Sequence, residues 1–560
     1  MWRSFRKYFH KVHPGRGIAT IPSRSELYQT SFHWLYNDKA QHDIRHVPFD
    51  VSALMNIACA SVQAQSCTSV IKIAEGCFNK IFRLVFDNEK TIIARIPSAR
   101  MFGESGISWI TASEVATMQY ARNINIRTPV VLSWAKDHAN PVCSPYMILE
   151  DIPGIPLNEE WYEPSTRGTP VGNLLTALAN YVGKMHLPPL QAIGSIYFRK
   201  DIPPSLARPL FPSSYKGVLD PENQLCIGPI AQQMWWRVYH DEPQLNRGPF
   251  DTIEDYFLAA INIERRAVER HSEELSSLKY TRTSASELPG INNLLDKVES
   301  LAPYLCRLLT HGYSHPQRLL QPVLDHPDLR AANIIIPSSN GQSNEARMHN
   351  PTLIDWQGAA VLPLACQYEV PDVALFNPSI FVNDEPLFRV PWTRTQPAFP
   401  DNLAQMSEKE QEAVCAEHRL VCRHIYWINT FKQSPEYVYL DNHPVQGYLS
   451  LLVQTILRVC ADGPFYLRSA LVEIMENWQE ADFSAGELES HERDVERQKR
   501  YNHHSTWLHS RLRCDMEGSV QVEDWEYAVS ELEKAREEWD EPSCGGPFPF
   551  VDGAWAQFLR

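Results

Sequence analysis

An α+β fold of two unequal lobes is predicted for this chain of 560 residues: a small antiparallel-sheet N-lobe and a larger, mostly helical C-lobe. Three observations predict it. Residues 70–74, 80–86 and 91–96 are short β-rich runs joined by turn residues, the pattern of an antiparallel sheet. Pro153, Gly154 and Pro156 then interrupt the pattern and put a lobe boundary near residue 152. Later apolar residues recur mainly at helical spacing, and helix dominates beyond about residue 405.

The chain opens with a basic arm. Arg3, Arg6, Lys7, Lys11, Arg16 and Arg24 lie within residues 1–25, which hold no acid. Trp2, Phe5, Tyr8, Phe9 and Val12 recur at three- and four-residue steps, so a helix would gather them on one face. An Arg-rich, acid-free, amphipathic start is the pattern of a mitochondrial transit peptide. A mitochondrial location is therefore expected, with the import machinery as a partner of the arm. The plain alternative is a basic disordered tail.

Asp50 and Ser52 are good capping types for a helix over 50–65. The three strand runs follow, separated by Glu75-Gly76 and Asp87-Asn88. Val115, Met118 and Ala121 predict a helix over 111–123, and 129–134 and 146–149 read as two more strands. Helices are expected over 174–186 and 252–275, on either side of a Pro-rich stretch. Ile334-Ile335-Ile336 and Thr352-Leu353-Ile354 read as strands around a polar, turn-like insert at 337–351. The acidic segment 519–540 reads as a solvated amphipathic helix.

Composition narrows the function classes. With 44% hydrophobic and 21% charged residues the chain is globular, not mainly disordered. A formal net charge of −15 argues against a nucleic-acid partner, which needs clustered cations. No run approaches the ~18–20 apolar residues of a membrane helix, so no transmembrane segment is expected. Twelve cysteines are scattered without a C-x-x-C pair. They read as small buried hydrophobes in a reducing compartment, and structural zinc is not expected.

The strongest chemical signal is His326-Pro327-Asp328-Leu329-Arg330-Ala331-Ala332-Asn333, running into the strand of three isoleucines. An Asp and an Asn five apart do not share a helix face, but on a loop feeding a strand they can converge. The second part is Ile354-Asp355-Trp356-Gln357-Gly358, an apolar strand ending in an acid. Phosphoryl transfer needs a group to orient the acceptor proton, oxygen ligands for Mg²⁺, and cations on the phosphates. Asp328 suits the first role. Asn333 and Asp355 suit the second, because Mg²⁺ prefers hard oxygen ligands. The bland reading of these residues is a set of capping and turn groups. Upstream, Gly76 and Asn79 lie in a turn between two strands, where a phosphate-covering loop would lie. Arg95 lies on the third strand, where a phosphate-binding cation would sit, and Glu114 on the next helix could pair with it; the bland readings are an exposed strand Arg and a surface helix Glu.

These motifs resemble the aminoglycoside phosphotransferase and choline kinase branch of the protein-kinase-like fold. More narrowly, the chain resembles the fungal group of altered inheritance of mitochondria protein 9. The resemblance is carried by residues 74–82, 93–97, 113–118, 146–154, 227–229, 235–236, 247–250, 326–333 and 354–357. It implies a two-lobed protein-kinase-like fold that uses ATP and Mg²⁺. Asp328 is implied as the catalytic aspartate, with Arg95 assisting on the phosphates and Asn333 and Asp355 as metal ligands. His326 is implied as a support of the loop. Gly76, Asn79, Arg95, Glu114 and the hinge Glu150, Asp151 and Ile152 are implied on the nucleotide, with hinge backbone holding adenine.

Two positions depart from the usual pattern. Arg95 stands where most kinase-like enzymes carry Lys, and the turn over the phosphates has only Gly76. The expected activity is transfer of phosphate to a hydroxyl of a small-molecule acceptor. The alternative is a pseudokinase that binds nucleotide or a partner protein without chemistry. The expected division is a targeting arm at 1–25, N-lobe at 26–152, C-lobe at 153–404 and helical extension at 405–560. Trp161, Trp235, Trp236 and Trp392 offer an aromatic box for a cationic acceptor, although core packing is the simpler role for such residues.

Overall fold

The structure is a computed structural model. It describes residues 27–550 and 552, except 77, 99–104, 162–170, 218, 238–239, 241, 243, 278–287, 339–346, 379, 383–384, 392, 394, 433, 444–445, 477–484 and 516–517. The basic arm, most of the polar insert and Trp392 lie outside the described residues.

Strand β1 (Phe32–Trp34) and the helix Asp38–Arg45 precede the helix Val51–Val62. The Asp50 side chain accepts the Ala53 N–H at 2.8 Å and starts this helix. Strands β2 (Cys67–Glu75), β3 (Asn79–Phe86), β4 (Thr91–Pro97), β5 (Val131–Ala135) and β6 (Tyr146–Glu150) form one antiparallel sheet in the order β2-β3-β4-β6-β5. On β3 the alternation is clean, with Phe82, Leu84 and Phe86 facing inward. They pack with Ile92, Ala94, Ile96 and Ile148 against Leu54, Ala58 and Val62 of the preceding helix.

The helix Gly106–Asn123 starts earlier than predicted. It is buried on nearly every side, so its first turn lacks the apolar-polar stripe that marks a surface helix. Gly106 at its start has a packing reason: a Cβ there would lie 2.6 Å from Trp236 Cβ. Trp235 and Trp236 belong to the core. Trp236 stacks on Trp109 and lies under the Arg247 guanidinium, so neither tryptophan lines an aromatic box.

Strand β7 (Gly154–Pro156) pairs antiparallel with the strand Ile334–Pro337, which in turn pairs with Thr352–Leu353. The chain just after β6 is thereby fixed to the strand that follows the His326–Asn333 loop. The remainder is mostly helical and packs around several apolar clusters, a large one running from Ile107 to Ile474. The fold is thus the α+β arrangement the sequence predicts, with a small antiparallel sheet and a larger, mostly helical part. The acidic segment differs from expectation. Its helix begins at Trp525, because Ser519–Gln521 forms a strand that pairs with β1. Among the described residues no helix is long and apolar enough to cross a membrane.

Candidate active site

β3, β4 and the helix Gly106–Asn123 meet the turn Asp355–Gly358 in one cluster. Arg95 on β4 and Glu114 on the helix are both buried and form an ion pair through Nη1 and Oε1. Arg95 Nη2 donates to Gln357 Oε1 at 2.7 Å, and Asn79 Nδ2 donates to the same oxygen at 2.8 Å. Arg95 Nη1 also lies 3.5 Å from Asp355 Oδ1. Burial would pull the Arg95 pKa down, but the Glu114 and Asp355 carboxylates outweigh it and hold the cation. Burial pushes the Glu114 carboxyl up to about 7, against the pull of Arg95.

Asp355 has φ 64° and Gly358 φ 81°. Positive φ is uncommon outside glycine, and Asp is one of the few residues that tolerate it. This conformation turns the chain sharply after Ile354. The Ile354 N–H donates to Asn333 C=O at 3.0 Å, which ties the turn to the neighbouring loop.

On that loop, Asn333 Nδ2 donates to both the backbone oxygen and Oδ2 of Asp328, at 2.9 and 3.0 Å. Arg330 Nε lies 2.8 Å from Asp328 Oδ2. Burial raises the Asp328 pKa, Arg330 opposes it, and Asp355 adds to the rise. His326 is buried and bridges the two segments. The Asp328 N–H donates to its Nδ1 at 3.2 Å, and its Nε2 lies 3.1 Å from Ile354 C=O. An imidazole accepting at Nδ1 carries its proton on Nε2, so the neutral ring satisfies both sides.

The other predicted residues stand apart from this cluster. Gly76 donates its N–H to Asn79 C=O at 3.0 Å, and a Cβ on Gly76 would meet open space. Beneath it, buried Lys80 pairs with Glu75 and reaches Gln29 C=O at 3.2 Å, while Ser31 N–H donates to Glu75. Residues 29–31 thereby strap the turn from below. Glu150 Oε2 accepts the Val130 N–H, and Asp151 makes a two-point pair with Arg83 at 2.8 and 3.0 Å. Both side chains are engaged within the protein, and the Glu150 N–H donates to Val130 C=O at 2.9 Å.

Four residues escaped the sequence reading. Gln357 joins Asn79 to Arg95, and its signal was its place two residues after Asp355. Arg330 sits inside the motif itself. Glu369 and Asp372 add negative charge near Asp328, and burial pushes both their carboxyls up. Nothing in their local sequence marks them.

No family model matches the chain. It is 25% identical to a subtelomeric hrmA-associated cluster protein of Aspergillus fumigatus, over 88% of this chain and 98% of that protein. It is 28% identical to altered inheritance of mitochondria protein 9, mitochondrial, of Saccharomyces cerevisiae, over 56% of this chain and 51% of that protein. Among solved structures, an aminoglycoside phosphotransferase from Alicyclobacillus acidocaldarius aligns with a TM-score of 0.25 and 12% identity, covering 84% of this chain and 92% of that one. The mitochondrial designation of the yeast relatives agrees with the location expected from the basic arm. In sequence the chain is similar to the fungal group of altered inheritance of mitochondria protein 9, the resemblance its motifs carry.

Proposed function

We propose that the chain is an ATP- and Mg²⁺-dependent phosphotransferase acting on a hydroxyl of a small-molecule acceptor in mitochondria. One observation carries the reading. Asp328, Asn333 and Asp355 stand on two segments tied by the Ile354–Asn333 backbone bond, next to the Arg95–Glu114 pair.

The donor set fits the ion. Asn333 commits its amide nitrogen to Asp328, which leaves its Oδ1 as the oxygen it can offer an ion. Asp355 Oδ1 is buried and has no hydrogen-bond donor. Two hard oxygens suit Mg²⁺. When bound, Mg²⁺ supplies charge neutralisation on the β- and γ-phosphates. Arg95 adds a fixed cation to the same place, and Glu114 and Gln357 orient it. Among the described residues nothing lies within 4 Å of a Cβ built on Gly76, which favours a phosphate over the turn. Asp328, its pKa raised by burial, takes a hydrogen bond from the acceptor hydroxyl and orients its oxygen. Glu369 and Asp372 favour an acceptor that carries positive charge.

Asp328→Asn should retain nucleotide binding and lose transfer of the γ-phosphate to a panel of hydroxyl compounds. Undiminished transfer by that variant would sink the assignment. A second reading has its own observation: both terminal nitrogens of Arg95 are committed within the protein. A non-catalytic nucleotide-binding protein would then bind ATP and transfer nothing from it.

A further inference from the structure

A second cluster of metal-ligating side chains lies away from this site. His33 on β1 meets Asp38 and His42, which stand four apart on the helix Asp38–Arg45. His33 Nδ1 is 3.2 Å from Asp38 Oδ2, and His42 Nε2 is 3.5 Å from Asp38 Oδ1. The ligand atoms of all three lie within 4.8 Å of one another. Metal–nitrogen and metal–oxygen bonds of about 2.0–2.2 Å in tetrahedral geometry place ligand atoms roughly 3.3 Å apart. The two measured separations, one to each oxygen of Asp38, lie on either side of that value.

The hydrogen bonding leaves one atom unexplained. His42 Nε2 is shielded from solvent and makes no hydrogen bond, although a carboxylate oxygen faces it. Asp38 is held for the purpose, since its Oδ1 accepts the Trp34 N–H at 2.7 Å. His33 is held by stacking on Trp525, with ring centroids 4.7 Å apart. Side chains of His33, Asp38 and His42 keep about a third of their surface, so an ion can enter.

We propose that His33, Asp38 and His42 form a binding site for a borderline divalent transition metal of the Zn²⁺ type. Two imidazoles and one carboxylate match the ligand preferences of that ion. The site joins β1 to the helix behind it. Through the His33–Trp525 stack and the pairing of β1 with Ser519–Gln521, it also fastens the start of the described chain to its C-terminal part. The spacing His-x4-Asp-x3-His carries no cysteine, which is why a search for zinc motifs passes over it.

The test is competition for Zn²⁺ between the full-length chain, prepared without a polyhistidine tag, and a chromophoric chelator. Wild type should bind one Zn²⁺ per chain with sub-micromolar affinity, and Zn²⁺ should raise its melting temperature. His42→Gln and Asp38→Asn should each weaken that binding at least tenfold and abolish the rise. His503→Gln, in the exposed His503-His504 pair, should change neither. Co²⁺ should give a visible d–d absorption in wild type that His42→Gln removes. No Zn²⁺ bound by wild type, or equal binding by His42→Gln, would overturn the proposal. If either single variant fails to fold, the Co²⁺ spectrum of wild type and of the other variant decides. An octahedral, purely aquo-like spectrum in wild type counts against it.

Discussion

Arg95 Nη1 stands 3.5 Å from Asp355 Oδ1 while the same nitrogen pairs with Glu114. One buried guanidinium thus serves two carboxylates on different segments. Its third partner, Gln357, is shared with Asn79, so the cluster joins the sheet, the helix and the Asp355 turn.

Removing that cation should be costly. Arg95→Met leaves Glu114 buried without its partner, and breaking a buried pair from one side typically costs about 3–5 kcal/mol. Urea denaturation should show a loss of that size. Glu114→Gln in the same chain should recover part of it. A loss below about 1 kcal/mol would mean the pair contributes little to folding.

His326 makes a pH prediction. Burial lowers its pKa to about 4, and protonating Nδ1 would set a donor against the Asp328 N–H. A histidine in the unfolded chain titrates near 6.5. Between those values the unfolded chain binds a proton that the folded chain refuses. The contribution is therefore fully present above about pH 6.5 and is lost as pH falls toward 4. At about 1.36 kcal/mol per pH unit, it reaches up to about 3 kcal/mol. Buried His186, lowered to about 3, acts in the same direction. Asp325, raised by burial to about 7, acts in the opposite one. The difference between wild type and His326→Gln isolates the ring. Stability measured from pH 7 to pH 4 should fall more steeply in wild type, and parallel curves would contradict the neutral bridging role.

Gly154 couples the hinge to the loop strand. A Cβ there would lie 2.5 Å from Ile336 C=O. Gly154→Ala should force β7 away from Ile334–Pro337, and overpacking of this kind typically costs about 1–3 kcal/mol. A lowered urea midpoint with an unchanged slope is the expected readout. An unchanged midpoint would show that the hinge moves freely.

Local pattern revealed the sheet and the loop, but not the partners across the chain. Residues 80–86 read as a strand, and on β3 every second residue, Phe82, Leu84 and Phe86, faces the core. Lys80 shares that face, and its burial depends on Glu75 and Gln29, which alternation alone does not show. Gln357 has partners 262 and 278 residues away, so its place two residues after Asp355 marks the position but not what it binds. The strand at Ser519–Gln521 forms because β1 offers an edge, a condition that lies almost the whole chain away. The helix Gly106–Asn123 was placed short because burial on nearly every side erases the stripe that locates a helix start.

The most direct test of the Mg²⁺–nucleotide reading is the melting temperature of the chain with ATP, with and without Mg²⁺, beside Asp355→Asn. Asn tolerates the positive φ of this position, so the turn should survive. A ligand that binds only the folded state at about 100 times its dissociation constant stabilises by about 2.7 kcal/mol. The expected result is a rise of several degrees that requires Mg²⁺ and disappears in Asp355→Asn. An equal rise in the variant, or none in wild type at millimolar ATP, would contradict the placement of the nucleotide and its metal between Arg95, Asn333 and Asp355.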